Sequence, residues 1–385
     1  MQRLSFRSVL RASLPPIDTW APRNTRYSSF PRKLEPRKIN KLDSRIRGND
    51  GFFELPTYRL AALFCLLFFI GHSTFAATLP AIVDEASGLT RSPQHVGVYW
   101  THNDNINLPA SSKKGVPLLF AINNDGKLLG TLKLDGVRQR DWEAITHLDL
   151  DGNPTLVIGD IGDNRGTWPD YRLWFVPEPV ALKTNITQRP TAIIRFRYSD
   201  QVPAPRRQGG FSGGHDAESL VFDAEHREFL ILTKREKSAR LFAIPLTSRV
   251  NLSDGKPISA QEKKAAVVTA RFIANLPTLP APDLVSWLLH PFTSPYADQP
   301  TAMALTPDGH LLAILTYSAV YYFYRRAKED WPTALQKPFA SVSLPSIEQW
   351  EGASFSADGK KLVIVHEGRG ENTVTILQAP WALKN

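Results

Sequence analysis

The chain has 385 residues and a formal net charge of +9, a length that ordinarily suggests two or three domains but that repeat-built all-β folds reach as one unit. The charge invites a nucleic-acid reading, and its distribution excludes it. Residues 1 to 76 hold 13 Lys/Arg against 5 Asp/Glu, leaving 33 against 32 for the remainder, so the body offers no field for a phosphate backbone.

Residues 1–58 are rich in Arg and Pro and lack an apolar period, which marks a disordered basic leader or sequence translated upstream of the true start. Residues 59–76 have the shape of a signal peptide: Arg59, an apolar run from Leu60 to Ile70, then small residues suited to cleavage after Ala76 or Ala77. Eleven apolar residues fall short of the about 20 that a membrane span needs. Phe64 before Cys65, the only cysteine, is too large for a lipoprotein cleavage box. The expectation is a periplasmic or secreted bacterial protein, monomeric and free of the membrane after cleavage. Its single domain, residues 77–385, has no disulfide and relies on its core.

Beyond residue 80, short β-branched and aromatic runs alternate with turn signals. Five segments repeat a strand, a turn and a second strand, beginning at Ser87, Glu143, Glu218, Thr301 and Glu351. Their turns include "DLDGNP", "TPDGH" and "SADGK", in which Asp-Gly marks a hairpin reversal. Third strands are predicted at "PLLFAIN", "YRLWFVP", "ARLFAIP", "AVYYFYR" and "TVTILQA", and outer strands at "GTLKLDG", "AIIRFRY" and "VVTARFIA". Four antiparallel strands recurring this way describe the blade of a β-propeller with five visible repeats, so five or six blades. "NLSDGKPISAQEKK" reads as a polar loop.

"GGFSGGHDAESLVFD", residues 209–223, contains a G-x-S-x-G pattern around Ser212. A nucleophile elbow needs a strand before the serine and a helix after it. Here a Pro- and Arg-rich run precedes and a β-rich run follows, so no catalytic residue is assigned. Glu218 carries the interest instead. In a propeller the start of each first strand and the end of each second strand share one rim. That brings together Glu143, Glu218 and Glu351 with Asp104, Asp160, Asp163, Asn164, Lys234, Arg235, His366 and Glu367, and with Asp216 just ahead of its strand.

Converging carboxylates raise one another's pKa and need compensation. A hard cation bound through six to eight oxygens is one solution, and Ca²⁺ tolerates irregular geometry. Internal pairing with Lys234 or Arg235 is a second, and capping of backbone N–H groups a third. "GDIGDN", residues 159–164, suits a cation, while its Asp160, Asp163 and Asn164 could equally hold a tight turn. Zinc is disfavoured because His215, His226 and His366 show no pairwise ligand spacing.

"DAESLVFD", "DWEAIT" and "QWEGASFSADG", with "GDIGDN" between the first two along the chain, resemble the bacterial phytase-like and esterase-like secreted β-propellers, in the broader TolB-like class. The resemblance spans residues 83–382. It implies a propeller, an extracytoplasmic address and, for the phytases, calcium-dependent attack of water on phosphate monoesters. By position it implies axial carboxylates at Glu143, Glu218 and Glu351, further ligands at Asp160 and Asp163, and phosphate contacts from Lys234 and Arg235. The chain lacks the dense acidic runs of the phytases, and Thr301 stands where a fourth glutamate would. The leading expectation is therefore a rim that binds a small molecule or protein partner with Ca²⁺, ahead of a metal-dependent ester or phosphate-monoester hydrolase and of a passive scaffold.

Overall fold

The computed structural model describes residues 75–104, 116–203, 211–279, 297–345, 349–367 and 372–380, all within a compact unit that begins at Cys65. The basic leader and most of the signal segment lie outside the described residues. No described helix is long and apolar enough to cross a membrane.

The first strand, β1 (Phe75–Thr78), includes Ala76 and Ala77, the expected cleavage positions. A first antiparallel sheet follows: β2 (Ala86–Arg91), β3 (Val98–Asn103), β4 (Leu118–Asn123) and β5 (Leu128–Leu134). The second takes β6 (Trp142–Leu150), β7 (Asn153–Asp160) and β8 (Tyr171–Pro177). After β9 (Ile186–Gln188), which runs parallel to β5, it ends with β10 (Ala192–Tyr198). A short pair, β11 (Val202–Pro203) and β12 (Phe211–Ser212), leads to the third: β13 (Ala217–Asp223), β14 (Glu228–Thr233), β15 (Arg240–Pro245) and, past β16 (Val250–Asn251), β17 (Val267–Asn275). The fourth is β18 (Pro300–Leu305), β19 (Leu311–Thr316), β20 (Ala319–Tyr324) and β21 (Ala340–Ser343). In the fifth, β22 (Gln349–Phe355), β23 (Lys361–Glu367) and β24 (Thr373–Gln378) are completed by β1, which pairs antiparallel with β24 from Phe75↔Ile376 to Thr78↔Thr373.

The predicted hairpins and their third strands are present, and so are the three predicted outer strands. Two outer strands carry no local signal, β21 and the N-terminal β1. The predicted loop at 251–264 contains a helix, Ile258–Lys264, which buries Ile258. The outer strands β10 and β17 pair in parallel, joining the second and third sheets edge to edge.

The strands hold together because they are apolar on both faces, with successive residues pointing to opposite sides. In β14, Phe229 and Ile231 pack toward the second sheet, while Leu230 and Leu232 pack toward the fourth. Leu119 and Ala121 of β4 face the second sheet, and Phe120 and Ile122 face the fifth. Leu362 and Ile364 of β23 face the fourth sheet, and Val363 and Val365 face the first. Five apolar clusters thus fill the spaces between successive sheets, including the one between the fifth and the first. At roughly 1.5–3 kcal/mol per buried large aliphatic side chain, these clusters supply the main driving force. The first strands are neighbours in the cyclic order β2, β6, β13, β18, β22 and back to β2.

Arg325 fastens the third sheet to the fourth. Its guanidinium is buried, 2.7 Å from Asp223 Oδ2 and 2.9 Å from Glu225 Oε2, donates to the Gly309 carbonyl at 3.0 Å and lies 4.3 Å from the centre of the Trp331 ring. The Trp331 indole N–H also donates to Asp223, at 2.8 Å. Asp223, Glu225 and His226 have metal-ligand types within reach of one another, but here the arginine supplies the positive charge. Arg325→Lys keeps that charge and loses the planar fork, and is expected to cost about 1–3 kcal/mol in a urea denaturation.

Candidate functional site

Each hairpin of first and second strands breaks register at one residue near the start of the first strand. The skipped residues are Gly88, Glu143, Glu218, Thr301 and Glu351. A bulge leaves its extra residue outside the ladder and re-aims the side chain, so this device recurs at the three glutamates read as axial. It also sets Gly88, rather than Ser87, level with them. Gly88 has φ +67°, and a Cβ there would lie 2.9 Å from His102 Nε2 and 3.0 Å from Ala144 Cα. No side chain fits at that place in the first sheet. Ser87, one residue earlier, reaches Glu143 instead, donating to its Oε2 at 3.3 Å.

All three glutamates are buried. Burial raises the Glu143 carboxyl well above its ordinary range, and Glu218, Asp104, Asp141 and Asp216 add to the effect. Asp141 is pushed up to about 8 by burial, with Asp104, Asp216 and Asp160 contributing. Glu367 is raised to about 7 by burial and by Asp104, Glu85 and Glu218. Trp142 and Trp350, next to two of the glutamates, are buried in the apolar clusters between sheets.

Lys234 meets part of this charge. Its Nζ, itself buried, donates to Glu218 Oε2 and, at 2.8 Å, to the Tyr317 hydroxyl. Tyr317 in turn donates to Glu351 Oε1 at 3.0 Å. Burial opposes the charge on Lys234, but Glu218 and Glu351 hold its pKa well above the usual range. One lysine and one tyrosine therefore serve two of the three bulge glutamates. Arg235 pairs with Asp216 at 2.5 Å, and the other Asp216 oxygen accepts the Asp163 backbone N–H at 2.8 Å.

The third glutamate lies in a different setting. Carboxylate oxygens of Asp104, Asp141 and Glu143 all fall within 4.8 Å of one another. Asp141 and Glu143 are buried, Asp104 is half-buried, and Asp141 Oδ1 has no hydrogen-bond partner among the described residues. Gly162 of "GDIGDN" lies beneath them: a Cβ there would come within 2.6 Å of the Asp141 carboxyl and 2.7 Å of Glu143 Cγ.

The remaining expected ligands have other partners. Asp160 Oδ1 accepts the Asp141 backbone N–H at 2.8 Å, and its Oδ2 lies 3.3 Å from Arg172. Asp163 accepts N–H groups from Thr167 and Trp168 at 2.9 and 2.7 Å and the Tyr171 hydroxyl at 2.9 Å. Asn164 is exposed. The contacts of Asp163 are those of the tight turn, one of the two readings open for this loop, and neither it nor Asn164 belongs to the Asp104–Asp141–Glu143 group. His366 is buried, with its ring 5.6 Å from that of Trp350. Ser212 is in a two-residue strand paired with Val202, and the next element is β13, so no strand–serine–helix elbow is formed.

Two site residues escape the sequence reading. Asp141 precedes Glu143 by two positions, as Asp216 precedes Glu218, so "DWE" and "DAE" share a spacing that could have revealed it. Tyr317 follows Leu-Thr just as Lys234 does, in "LTY" and "LTK".

No family model matches the chain, and no curated protein does. Among solved structures it is similar to a proposed 6-phosphogluconolactonase from Bacteroides uniformis, at 11% identity with a TM-score of 0.32, covering 76% of this chain and 67% of that one. It is also similar to hydrazine synthase from Kuenenia stuttgartiensis, at 12% identity with a TM-score of 0.35, covering 77% and 72%.

Proposed function

We propose that the five sheets are the blades of a closed five-bladed β-propeller, periplasmic or secreted and monomeric. Its acidic rim binds a small molecule or protein partner together with Ca²⁺ held by Asp104, Asp141 and Glu143. The carrying observation is that these three carboxylates converge within 4.8 Å while the buried lysine of the rim is engaged by Glu218. Ca²⁺ takes six to eight oxygens. Three carboxylates supply up to six, and water or oxygens of the ligand would supply the rest. Binding is favoured over hydrolysis of phosphate esters because Lys234 and Arg235, the residues suited to grip a phosphate, already pair with Glu218 and Asp216.

Calorimetric titration of the chelator-stripped protein with CaCl₂ tests this reading. One site is expected, with stabilisation of about 2.7 kcal/mol at a free Ca²⁺ concentration of about 100 times Kd. Glu143→Gln should weaken binding at least about tenfold, the loss of one charged ligand. Absence of both heat and a shift in unfolding temperature would refute the cation.

A further inference from the structure

The same five first strands run on to a second opening, whose lining begins one or two residues beyond Gly88, Glu143, Glu218, Thr301 and Glu351. Their last residues, from Leu89–Arg91, Ile145–Asp149, Leu220–Phe222, Met303–Leu305 and Ala353–Phe355, bound a cavity of about 360 Å³, within the size range of sites for small organic ligands. Its wall is apolar where Ile145, Leu148, Met303 and Phe355 contribute. Two arginines, Arg91 and Arg227, also line it; neither makes an ion pair within 4.0 Å among the described residues, although Arg91 Nη1 donates to the Ser92 carbonyl at 3.5 Å and Glu178 acts on it at longer range. Arg227 extends from the exposed turn between β13 and β14, held at φ +52°. The lining carboxylate, Asp149, accepts the Gly152 N–H at 2.6 Å and offsets one of the two arginines, so the lining keeps a net positive charge. Two lining polar groups are fixed: Thr90 Oγ1 lies 2.7 Å from His147 Nδ1, and the Ser354 hydroxyl accepts the Arg91 backbone N–H at 2.7 Å.

From this arrangement we infer that the cavity is a binding site for a small amphipathic organic anion, its apolar body between the strand ends and its anionic head on Arg91 and Arg227. An apolar recess with two guanidinium groups outside any close ion pair selects an anion with an alkyl or aryl body, because Arg offers a planar fork that matches a carboxylate or sulfonate. A purely apolar guest would leave both cations unused, and a cation would meet them as like charges. The His147 imidazole, its pKa lowered to about 3 by burial and by Arg91, is neutral at physiological pH and adds no charge. This site shares no lining residue with the proposed acidic rim, and the inference stands whether or not Ca²⁺ binds there.

Calorimetry on the full chain tests the inference with octanoate as probe and acetate and octylammonium as comparators. A probe of about ten heavy atoms should bind with Kd in the high micromolar to millimolar range. Acetate and octylammonium should each bind at least about tenfold more weakly, lacking the apolar body or carrying the opposite charge. Arg227→Glu, at an exposed turn, should keep the unfolding temperature and weaken octanoate about tenfold or more. Arg91→Gln should act in the same direction. Arg91 is partly buried, so if that protein fails to fold, the octanoate affinity of Arg227→Glu decides the question. Equal binding of octylammonium, equal binding of acetate, an unchanged Kd in Arg227→Glu, or no saturable octanoate binding would each overturn the proposal.

Discussion

Lys234→Met is expected to cost about 3–5 kcal/mol of folding stability at pH 7, read from urea denaturation, because it leaves buried carboxylates without their cation. In the native protein Lys234 Nζ donates to Glu218 and to Tyr317, and Tyr317 passes the contact to Glu351. With the ammonium gone, Glu218 would take up a proton, and holding a glutamic acid protonated at pH 7 costs about 3 kcal/mol. Burial, Glu351 and Asp216 already raise the Glu218 pKa in the native protein while Lys234 pulls it down; the variant loses that pull, so its folded state more fully holds a proton that the unfolded chain has released. The penalty is therefore largest near pH 7 and shrinks as pH falls toward the unfolded value of about 4.5. Adding Glu218→Gln to Lys234→Met should recover most of the loss, since it removes the charge that the lysine balanced. A penalty below about 1 kcal/mol, or one that is flat from pH 7 to 5, would show that Lys234 does not neutralise the rim.

Much of the fold is legible in the sequence because it is built from local repeats. Paired apolar runs identify the five hairpins, Asp-Gly turns mark three of them, and the recurring glutamates at 143, 218 and 351 mark the starts of three first strands. What the sequence hides has physical reasons. A bulge has no residue signature of its own, so Ser87 aligns with the glutamates by pattern although Gly88 holds their place. The pairing of β1 with β24 joins residues at opposite ends of the chain, and Phe75–Thr78 reads locally as the end of a signal peptide. Tyr317 resembles a core aromatic until its hydroxyl is found between Lys234 and Glu351. Asp163 resembles a ligand because its turn brings carboxylates together, yet its oxygens accept the turn's own N–H groups. The helix at Ile258–Lys264 lacks a side-chain cap, so it carries no start signal.

In calcium-free buffer the protein is expected to lose stability as pH rises from about 5 to 8, and saturating Ca²⁺ should remove the part of that slope due to Asp141 and Glu143. Asp141 and Glu367 have folded pKa values of about 8 and 7, against ordinary values of 3.8 and 4.5, and Glu143 is shifted in the same direction. Between the unfolded and folded values the native state binds protons that the unfolded chain has given up, so each such group lowers stability as pH increases, by at most about 1.4 kcal/mol per pH unit. Together they should amount to a few kcal/mol over this window, visible as a falling unfolding temperature. Ca²⁺ competes with those protons for Asp104, Asp141 and Glu143, so its affinity rises with pH and its stabilising effect should be greatest at pH 8 and small at pH 5. Asp141→Asn separates the two contributions. It removes a proton-binding group, which should flatten the calcium-free slope and leave the variant at least as stable as the parent at pH 8, and it removes a ligand, which should abolish most of the calcium effect. A slope that falls while Ca²⁺ changes nothing would mean that the cluster manages its charge by sharing protons. A flat or rising calcium-free profile would mean that the three carboxylates do not converge as buried groups at all.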